Sequence, residues 1–306
     1  MLLPDAVSAT EGRTLSARTG LADPLVLRPP LEPVHYEAVI CWESYAPDNY
    51  QTSTLTKQIS LSGQPLAEGR VLLDFRTSPP VLTKPQDLES LETMALRLAT
   101  LYAQVVVQAA PTGAFEALGN HAGLLQTWEL LAHSLRASTT AEDRITPTLL
   151  DFLGQQLRDP ANVLLSLQHD YLYAALVPAW FAQPLGGTAA PARTRAFSQF
   201  FDKLPLVFAE QVAEQVAGLP GEGPPQRALV CRGTLDAAQT DVAAIGALMA
   251  RAVGRPADAP QTPHFHYEAT HVLDAATGLP ERVDLTVYGR LAEHYNKQYT
   301  LTLTRV

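Results

Sequence analysis

Two stretches of the chain, one near each end, alternate apolar and polar residues with a period of two. In the first stretch, Tyr36, Ala38, Ile40 and Trp42 share one face, and the residues between them share the other. A period of two is typical of a β-strand that buries one of its faces. The alternation therefore predicts that both ends of the chain build sheet.

Further runs of the same kind accompany these stretches. Residues 52–62 and 70–76 repeat the alternation after the first run and predict an antiparallel meander with it. Residues 264–273, 281–288 and 295–305 predict three closing strands, and Thr277-Gly278 supplies a turn between the first two. A second turn signal, Pro111-Thr112-Gly113, predicts a hairpin between residues 105–109 and 114–118.

The middle of the chain has helical signals instead. Thr146-Pro147 and Asp159-Pro160 each combine an N-cap residue with proline at the first helical position. Apolar spacing of three and four residues predicts a further helix over residues 241–253. We therefore predict an α+β fold in which an antiparallel or mixed sheet, formed by N- and C-terminal strand meanders, carries the helical middle on one face.

Two domain organisations are consistent with the sequence. Residues 1–33 lack periodicity and end in a proline-rich run, which predicts an extended or mobile leader. Residues 34–306 then form a single composite α+β domain. The alternative is two domains, 34–183 and 196–306, joined by a linker at 184–195 that is rich in proline and glycine. For residues 197–217 we predict a helix, although Pro205 opposes a continuous one.

Charge and hydropathy limit the class of partner. The chain has 31 acidic against 22 basic residues and a formal net charge of −9, which disfavours nucleic acid and anionic membrane surfaces. No run of about 18 apolar residues is uninterrupted, so we expect no membrane span. The N-terminal residues do not resemble a signal peptide, and arginine greatly outnumbers lysine. We therefore expect a cytoplasmic bacterial protein.

Several familiar chemical motifs are missing from the sequence. It has no phosphate-binding GxxxxGK[ST] loop, no GxGxxG after a strand, no GxSxG elbow and no HExxH helix. Cys41 and Cys231 are the only cysteines and lie far apart, which excludes a disulfide framework and a CxxC site. These absences disfavour the commonest cofactor-binding proteins and hydrolases. They do not exclude an active site whose catalytic groups come from distant positions in the chain.

One candidate metal site remains. In the predicted strand at 264–273, His264, His266 and Glu268 project from one face at two-residue spacing, so two imidazoles and a carboxylate could meet a divalent cation. The tetrapeptide His-Tyr-Glu-Ala at 266–269 also occurs at 35–38. His35 and Glu37 are therefore additional candidate ligands, provided that the two strands lie close together.

The same residues also have a purely structural interpretation, as the solvent-facing side of a sheet. An antiparallel sheet with one solvated face needs polar residues at these positions, with Tyr36 and Tyr267 facing the core. On this interpretation the polar residues bind no ligand, and the protein needs no cofactor.

Three functions follow from these observations. The first is a non-catalytic binding, scaffolding or accessory protein that acts through contacts with another protein. The second is a metal-dependent hydrolase that uses the His/Glu cluster on the sheet face. The third is a small-molecule carrier with a cavity lined by the sheet.

Overall fold

The computed structural model describes residues 16–17, 24–47, 49–88, 90–138, 147–183, 193–217, 226–256 and 262–306. Its strands are β1 (Ser16–Ala17), β2 (Val34–Ala46), β3 (Asn49–Pro65), β4 (Val71–Thr77), β5 (Val81–Thr83), β6 (Gln104–Ala109), β7 (Phe115–Leu118), β8 (Arg193–Phe201), β9 (Leu204–Ala217), β10 (Gln226–Leu235), β11 (His264–Leu273), β12 (Pro280–Leu291) and β13 (Tyr295–Arg305).

These strands form one antiparallel sheet. Its order is β1-β9-β10-β11-β12-β13-β2-β3-β4-β6-β7, with β5 paired to β3 and β8 paired to β9. The last strand of the chain, β13, pairs with β2, so that Leu301 lies opposite Ile40. The prediction of an α+β fold whose sheet joins N- and C-terminal meanders is therefore confirmed.

Burial follows the predicted alternation. In β2, Tyr36 and Ala38 are buried, whereas His35 is exposed and Glu37 is half-buried. The meander of β2, β3 and β4 and the three closing strands also form as predicted. The apolar face of the sheet, which we call the inner face, is the side on which the core lies.

The helices are α1 (Ser90–Ala99), α2 (His121–Ser138), α3 (Pro147–Arg158), α4 (Pro160–His169), α5 (Tyr171–Leu176) and α6 (Val242–Ala252). Asp159 caps α4, since its carboxylate accepts a hydrogen bond from the backbone N–H of Ala161 at 2.9 Å, and Pro160 follows at the first helical position. Helices α2 to α5 lie between β7 and β8 in sequence, which confirms the helical middle.

Helix α5 contacts strands that are far apart in the sheet order. The Tyr171 ring lies 5.1 Å from the ring of Phe197 on β8, and the Tyr173 ring lies 5.1 Å from that of Phe75 on β4. Eight strand positions separate β8 from β4, which would span roughly 38 Å in a flat sheet. The sheet must therefore curve around α5.

The hairpin of β6 and β7 has the turn that the sequence predicts. Gly113 has a φ of +89°, a conformation that glycine adopts without the steric cost of a side chain. A Cβ at this position would lie 2.7 Å from the carbonyl oxygen of Pro178. Glycine is thus required both by the turn and by the loop that packs on it.

The predicted helix over residues 197–217 is wrong. This segment contains most of β8 and all of β9, and β9 pairs with β10 over ten residue pairs. Leu206, Phe208 and Glu210 recur at two-residue spacing on the inner face. The helical spacing of Phe208, Gln211 and Val212 was coincidental, and sheet pairing overrides it.

Two predicted connecting segments fall partly outside the described residues. Of the linker at 184–195, residues 193–195 belong to β8 and the others are not described. Of the leader at 1–33, the structure describes residues 16–17, which pair with β9, and residues 24–33. Leu25 and Leu27 are buried, so this part of the leader packs against the rest of the chain.

Candidate functional site

The predicted metal ligands of β11 lie on its outer face. The Nε2 atom of His266 is 3.8 Å from a carboxylate oxygen of Glu268, and His264 is exposed on the same face. His266 and Glu268 already have other partners, because the His266 ring stacks on Tyr288 at 4.9 Å and Glu268 accepts hydrogen bonds from Arg232 at 3.4 Å. Burial lowers the pKa of His266, and the Glu268 carboxylate opposes that change.

The two copies of His-Tyr-Glu-Ala do not meet. Strands β12 and β13 separate β11 from β2, a distance of about 14 Å at normal strand spacing. Glu37 instead accepts a hydrogen bond from the side-chain amide of Gln58 at 2.8 Å. The structure therefore does not bring His35 and Glu37 to the cluster on β11.

Within the described part of the chain, no group of three or more His, Cys, Asp or Glu side chains is arranged to hold a metal ion. The metal site at His264, His266 and Glu268 stays a prediction. The orientation of the repeated tyrosines is confirmed, since Tyr36 and Tyr267 are 0% and 3% exposed and face the core.

A cavity of about 480 Å³ lies on the opposite side of the same strand. We call it the inner-face cavity. Its sheet wall includes Arg193, Arg195, Glu210, Tyr267, His271 and Leu285. Its second wall comes from α5 and the loop that follows it, with Ala174, Ala175, Val177, Pro178 and Trp180.

The second wall is anchored to the β6–β7 hairpin. The backbone N–H of Phe181 donates to the carbonyl of Thr112 at 3.0 Å. At the end of α4, the side-chain amide of Gln168 donates to the carbonyl of Phe115 at 2.7 Å. These bonds hold the helical wall and the loop over the inner face of β11 and β12.

Three buried polar atoms around this cavity are unsatisfied. Among the residues that the structure describes, none forms a hydrogen bond with Trp180 Nε1, Arg195 Nε or His271 Nδ1. Trp180 is 3% exposed and His271 is 4% exposed, and leaving such groups unpaired costs about 1–3 kcal/mol each. Buried polar atoms without partners are uncommon in native proteins, so three beside one cavity call for a ligand or for ordered water.

His271 and Trp180 are in direct contact. Their ring centroids are 4.6 Å apart in an edge-to-face arrangement. Burial and, to a smaller extent, the nearby Arg195 guanidinium together lower the pKa of His271 to about 3. The imidazole is therefore neutral at pH 7, with one ring nitrogen as a donor and the other as an acceptor.

The two arginines of β8 are spaced two residues apart and share the inner face. Arg193 lies directly opposite Glu210 in the β8–β9 register and donates to the side chain of Gln183 at 2.9 Å. Arg195 lies opposite Phe208, with its guanidinium carbon 5.5 Å from the ring centroid of Phe197. Arg193 thus has polar partners, whereas the neighbours of Arg195 across and along the strand are aromatic.

The remaining polar groups of the sheet wall bond to each other. The Tyr267 hydroxyl donates to Glu210 at 2.7 Å, and burial raises the pKa of that hydroxyl. Burial also raises the pKa of the neighbouring Cys231 thiol well above its usual value. Both groups are therefore protonated at pH 7 and are poor nucleophiles.

A second cavity of about 500 Å³ lies beyond the α4–α5 junction, and His169 lines both. Its walls include Trp42, Tyr171 and Tyr299. The ammonium group of Lys297 already lies 5.9 Å from the Phe200 ring centroid, so part of this aromatic surface has a cation beside it. Among the described residues that line the second cavity, none has a buried side-chain polar atom without a hydrogen-bond partner.

The sequence did not single out the residues of the inner-face cavity. One signal was present, because the alternation of Phe265, Tyr267 and Ala269 continues to position 271 and places a histidine on the apolar face. Trp180 is buried, as tryptophans of a core are. Its role in the cavity wall depends on the loop after α5, for which no local pattern exists.

Comparisons with known proteins give little guidance. No protein-family model matches the chain, and no curated protein matches it. Similarity to solved structures includes "The complex structure of Pseudomonas aeruginosa MucA/MucB", at 8% identity over 89% of each chain with a TM-score of 0.14. A "Crystal structure of MucB in complex with MucA(peri)" gives 7% identity, the same coverage and a TM-score of 0.12. Scores this low carry no argument about function.

Of the helices that the structure describes, none is both long enough and apolar enough to cross a bilayer.

Proposed function

We propose that the protein is a non-catalytic binding protein that holds a small molecule in the inner-face cavity. The supporting observation is the grouping of Trp180 Nε1, Arg195 Nε and His271 Nδ1 around a cavity of about 480 Å³, all three buried and without a hydrogen-bond partner among the described residues. Ligand sites of proteins are commonly of this size, with apolar walls and a few polar groups that fix the orientation of the ligand.

A binding role also agrees with the state of the reactive groups. The Cys231 thiol and the Tyr267 hydroxyl have raised pKa values, and His271 is neutral because burial lowers its pKa. Groups in these states donate or accept hydrogen bonds but make weak nucleophiles. They suit the recognition of a ligand better than its chemical conversion.

The test is a thermal-shift screen of the purified protein against a diverse small-molecule library. A ligand at 100 times its Kd stabilises the folded state by about 2.7 kcal/mol. Ala174→Trp fills the cavity from α5 and should abolish the shift, whereas Ala209→Trp on the exposed side of β9 should retain it. Hits that stabilise both variants equally would contradict the proposal.

A protein partner is the second candidate function. Tyr45 and Tyr50 lie opposite each other near the tip of the β2–β3 hairpin and are 42% and 59% exposed. Exposed aromatic pairs are enriched where proteins bind each other. Because the chain has a net charge of −9, the proposed occupant is a basic protein segment, whereas nucleic acid remains disfavoured.

A photo-crosslinking amino acid in place of Tyr50 tests this second candidate in cells. We expect a discrete protein adduct at Tyr50 and none at Val81, which is exposed at 62% on the short strand β5. Equal labelling at both positions would show non-specific contact and exclude the hairpin as a docking site.

A further inference from the structure

The unpaired atoms of the inner-face cavity define the polarity of its ligand. An indole N–H and a guanidinium N–H can only donate hydrogen bonds, and neutral histidine can donate or accept. Trp180 and Arg195 therefore both require an acceptor, and His271 can add a third donor. The complementary ligand group has several acceptor oxygens.

The charges of the sheet wall define the sign of that group. Arg193 lies opposite Glu210; burial lowers the pKa of the Arg193 guanidinium, and the Glu210 carboxylate opposes that change. None of the ion pairs that the described residues form within 4.0 Å includes Arg195. Arg195 interacts electrostatically with the buried carboxyl group of Asp170, but its Nε atom has no hydrogen-bond partner among the described residues. An anionic acceptor beside this atom would supply a charge-assisted hydrogen bond.

Other parts of the cavity wall are apolar, although Gln168, His169 and Thr194 also line it. Ala174, Ala175 and Val177 line the helical side, and Leu285 lines the sheet side. A ligand that consisted only of an anionic group would leave these surfaces unfilled. The cavity therefore suits an organic anion with an apolar body.

We infer that the inner-face cavity binds an amphipathic organic anion, whose acceptor oxygens meet Arg195 and Trp180 and whose apolar body packs against α5 and Leu285. The inference rests on the proposed function and adds the chemical class of the ligand. It predicts discrimination between two molecules that share an apolar skeleton and differ only in an anionic group.

Two fluorescent probes make this comparison. Anilinonaphthalene sulfonate is an anion, and N-phenylnaphthylamine has the same rings without the sulfonate. In titrations at pH 7 we expect saturable one-site binding of the sulfonate to the wild-type protein. The uncharged probe should bind about tenfold more weakly or worse, because it lacks the charge-assisted hydrogen bonds.

Two arginine variants test whether Arg195 causes the preference for the anionic probe. Arg195→Gln should weaken binding of the sulfonate by about tenfold and leave the uncharged probe unaffected. Arg232→Gln makes the same change of net charge on the outer face, where Arg232 pairs with Glu268, and should change either affinity by less than about twofold. Circular dichroism checks that both variants fold. The comparison of the two probes on the wild-type protein does not depend on either variant.

The outcomes separate the inference from the proposed function. If both probes bind equally well to the wild-type protein, and Ala174→Trp abolishes both, the cavity binds ligands but the inferred preference for anions is wrong. If neither probe binds saturably, or if Ala174→Trp changes nothing, the inference and the proposed function both fail.

Discussion

Strand β11 has histidines on both faces, and the two faces place them in opposite situations. On the outer face, His266 stacks on Tyr288 and lies beside Glu268, which is bonded to Arg232. On the inner face, His271 is buried against Trp180, and its Nδ1 has no partner among the described residues. A conspicuous cluster of polar residues can thus be satisfied by its neighbours, while a single inward histidine lies at the cavity that we propose as the ligand site.

The largest expected difference between the faces is in stability. Leu285 lines the cavity and is 3% exposed, so Leu285→Ala should lower the free energy of unfolding by about 2–5 kcal/mol. Thr286, its neighbour on the outer face, is half-buried, and Thr286→Ala should cost less than about 1 kcal/mol. Urea denaturation measures both, and equal losses would show that the two faces are not distinct.

The second difference is in the response to acid. The pKa of His271 is about 3 in the folded state and about 6.5 in an unfolded chain. Between these values the unfolded state binds more protons, so His271 reduces stability as the pH falls from about 6.5 towards 3, by up to about 1.4 kcal/mol per pH unit.

The matched variants for this effect are His271→Gln and His266→Gln. Replacement of His271 should flatten the dependence of unfolding free energy on pH in that window. Replacement of the partly exposed His266, whose pKa burial also lowers, should change the slope much less. Identical slopes in the wild-type protein and His271→Gln would contradict the buried, neutral state of His271.

A smaller difference concerns two tyrosine hydroxyls. Tyr267→Phe removes the buried hydrogen bond to Glu210 and should cost about 1–3 kcal/mol, because the carboxylate loses a partner. Tyr288→Phe on the outer face should cost less than about 0.5 kcal/mol. Chemical denaturation measures both variants. If Tyr267→Phe leaves the free energy of unfolding unchanged, Glu210 is solvated rather than dependent on the Tyr267 hydroxyl.

The smallest expected effect is on metal content. Because Glu268 is bonded to Arg232 and His266 is stacked on Tyr288, we expect no stoichiometric metal in the purified protein and no change in metal content for His266→Ala. One equivalent of a transition metal that His266→Ala removes would instead support the metal-dependent hydrolase.

The fold was more predictable than the site, for a physical reason. The alternation around Tyr36 and Tyr267 is local, and it predicted both the strands and the faces that they bury. The helix predicted for residues 197–217 was wrong because Phe208 and Val212 fit the period of a helix as well as that of a strand. Pairing with another strand decided between the two, since β9 pairs with β10, the next strand along the chain.

The site depends on contacts of still longer range. Arg195, Trp180 and His271 come from a strand, a loop and another strand, and they meet only because the sheet curves around α5. The alternation predicts that position 271 faces inward, but no pattern in the sequence indicates that Trp180 lies against it.

The most direct test of the central claim is the amide and indole spectrum of ¹⁵N-labelled protein during titration with anilinonaphthalene sulfonate. The chain has three tryptophans, Trp42, Trp128 and Trp180, and Trp180→Phe assigns the indole signal of interest. We predict that the Trp180 indole signal moves saturably while that of Trp128, buried in α2, stays in place. Saturable binding that leaves the Trp180 signal unmoved, or that moves only the signal of Trp42 in the second cavity, would contradict the account.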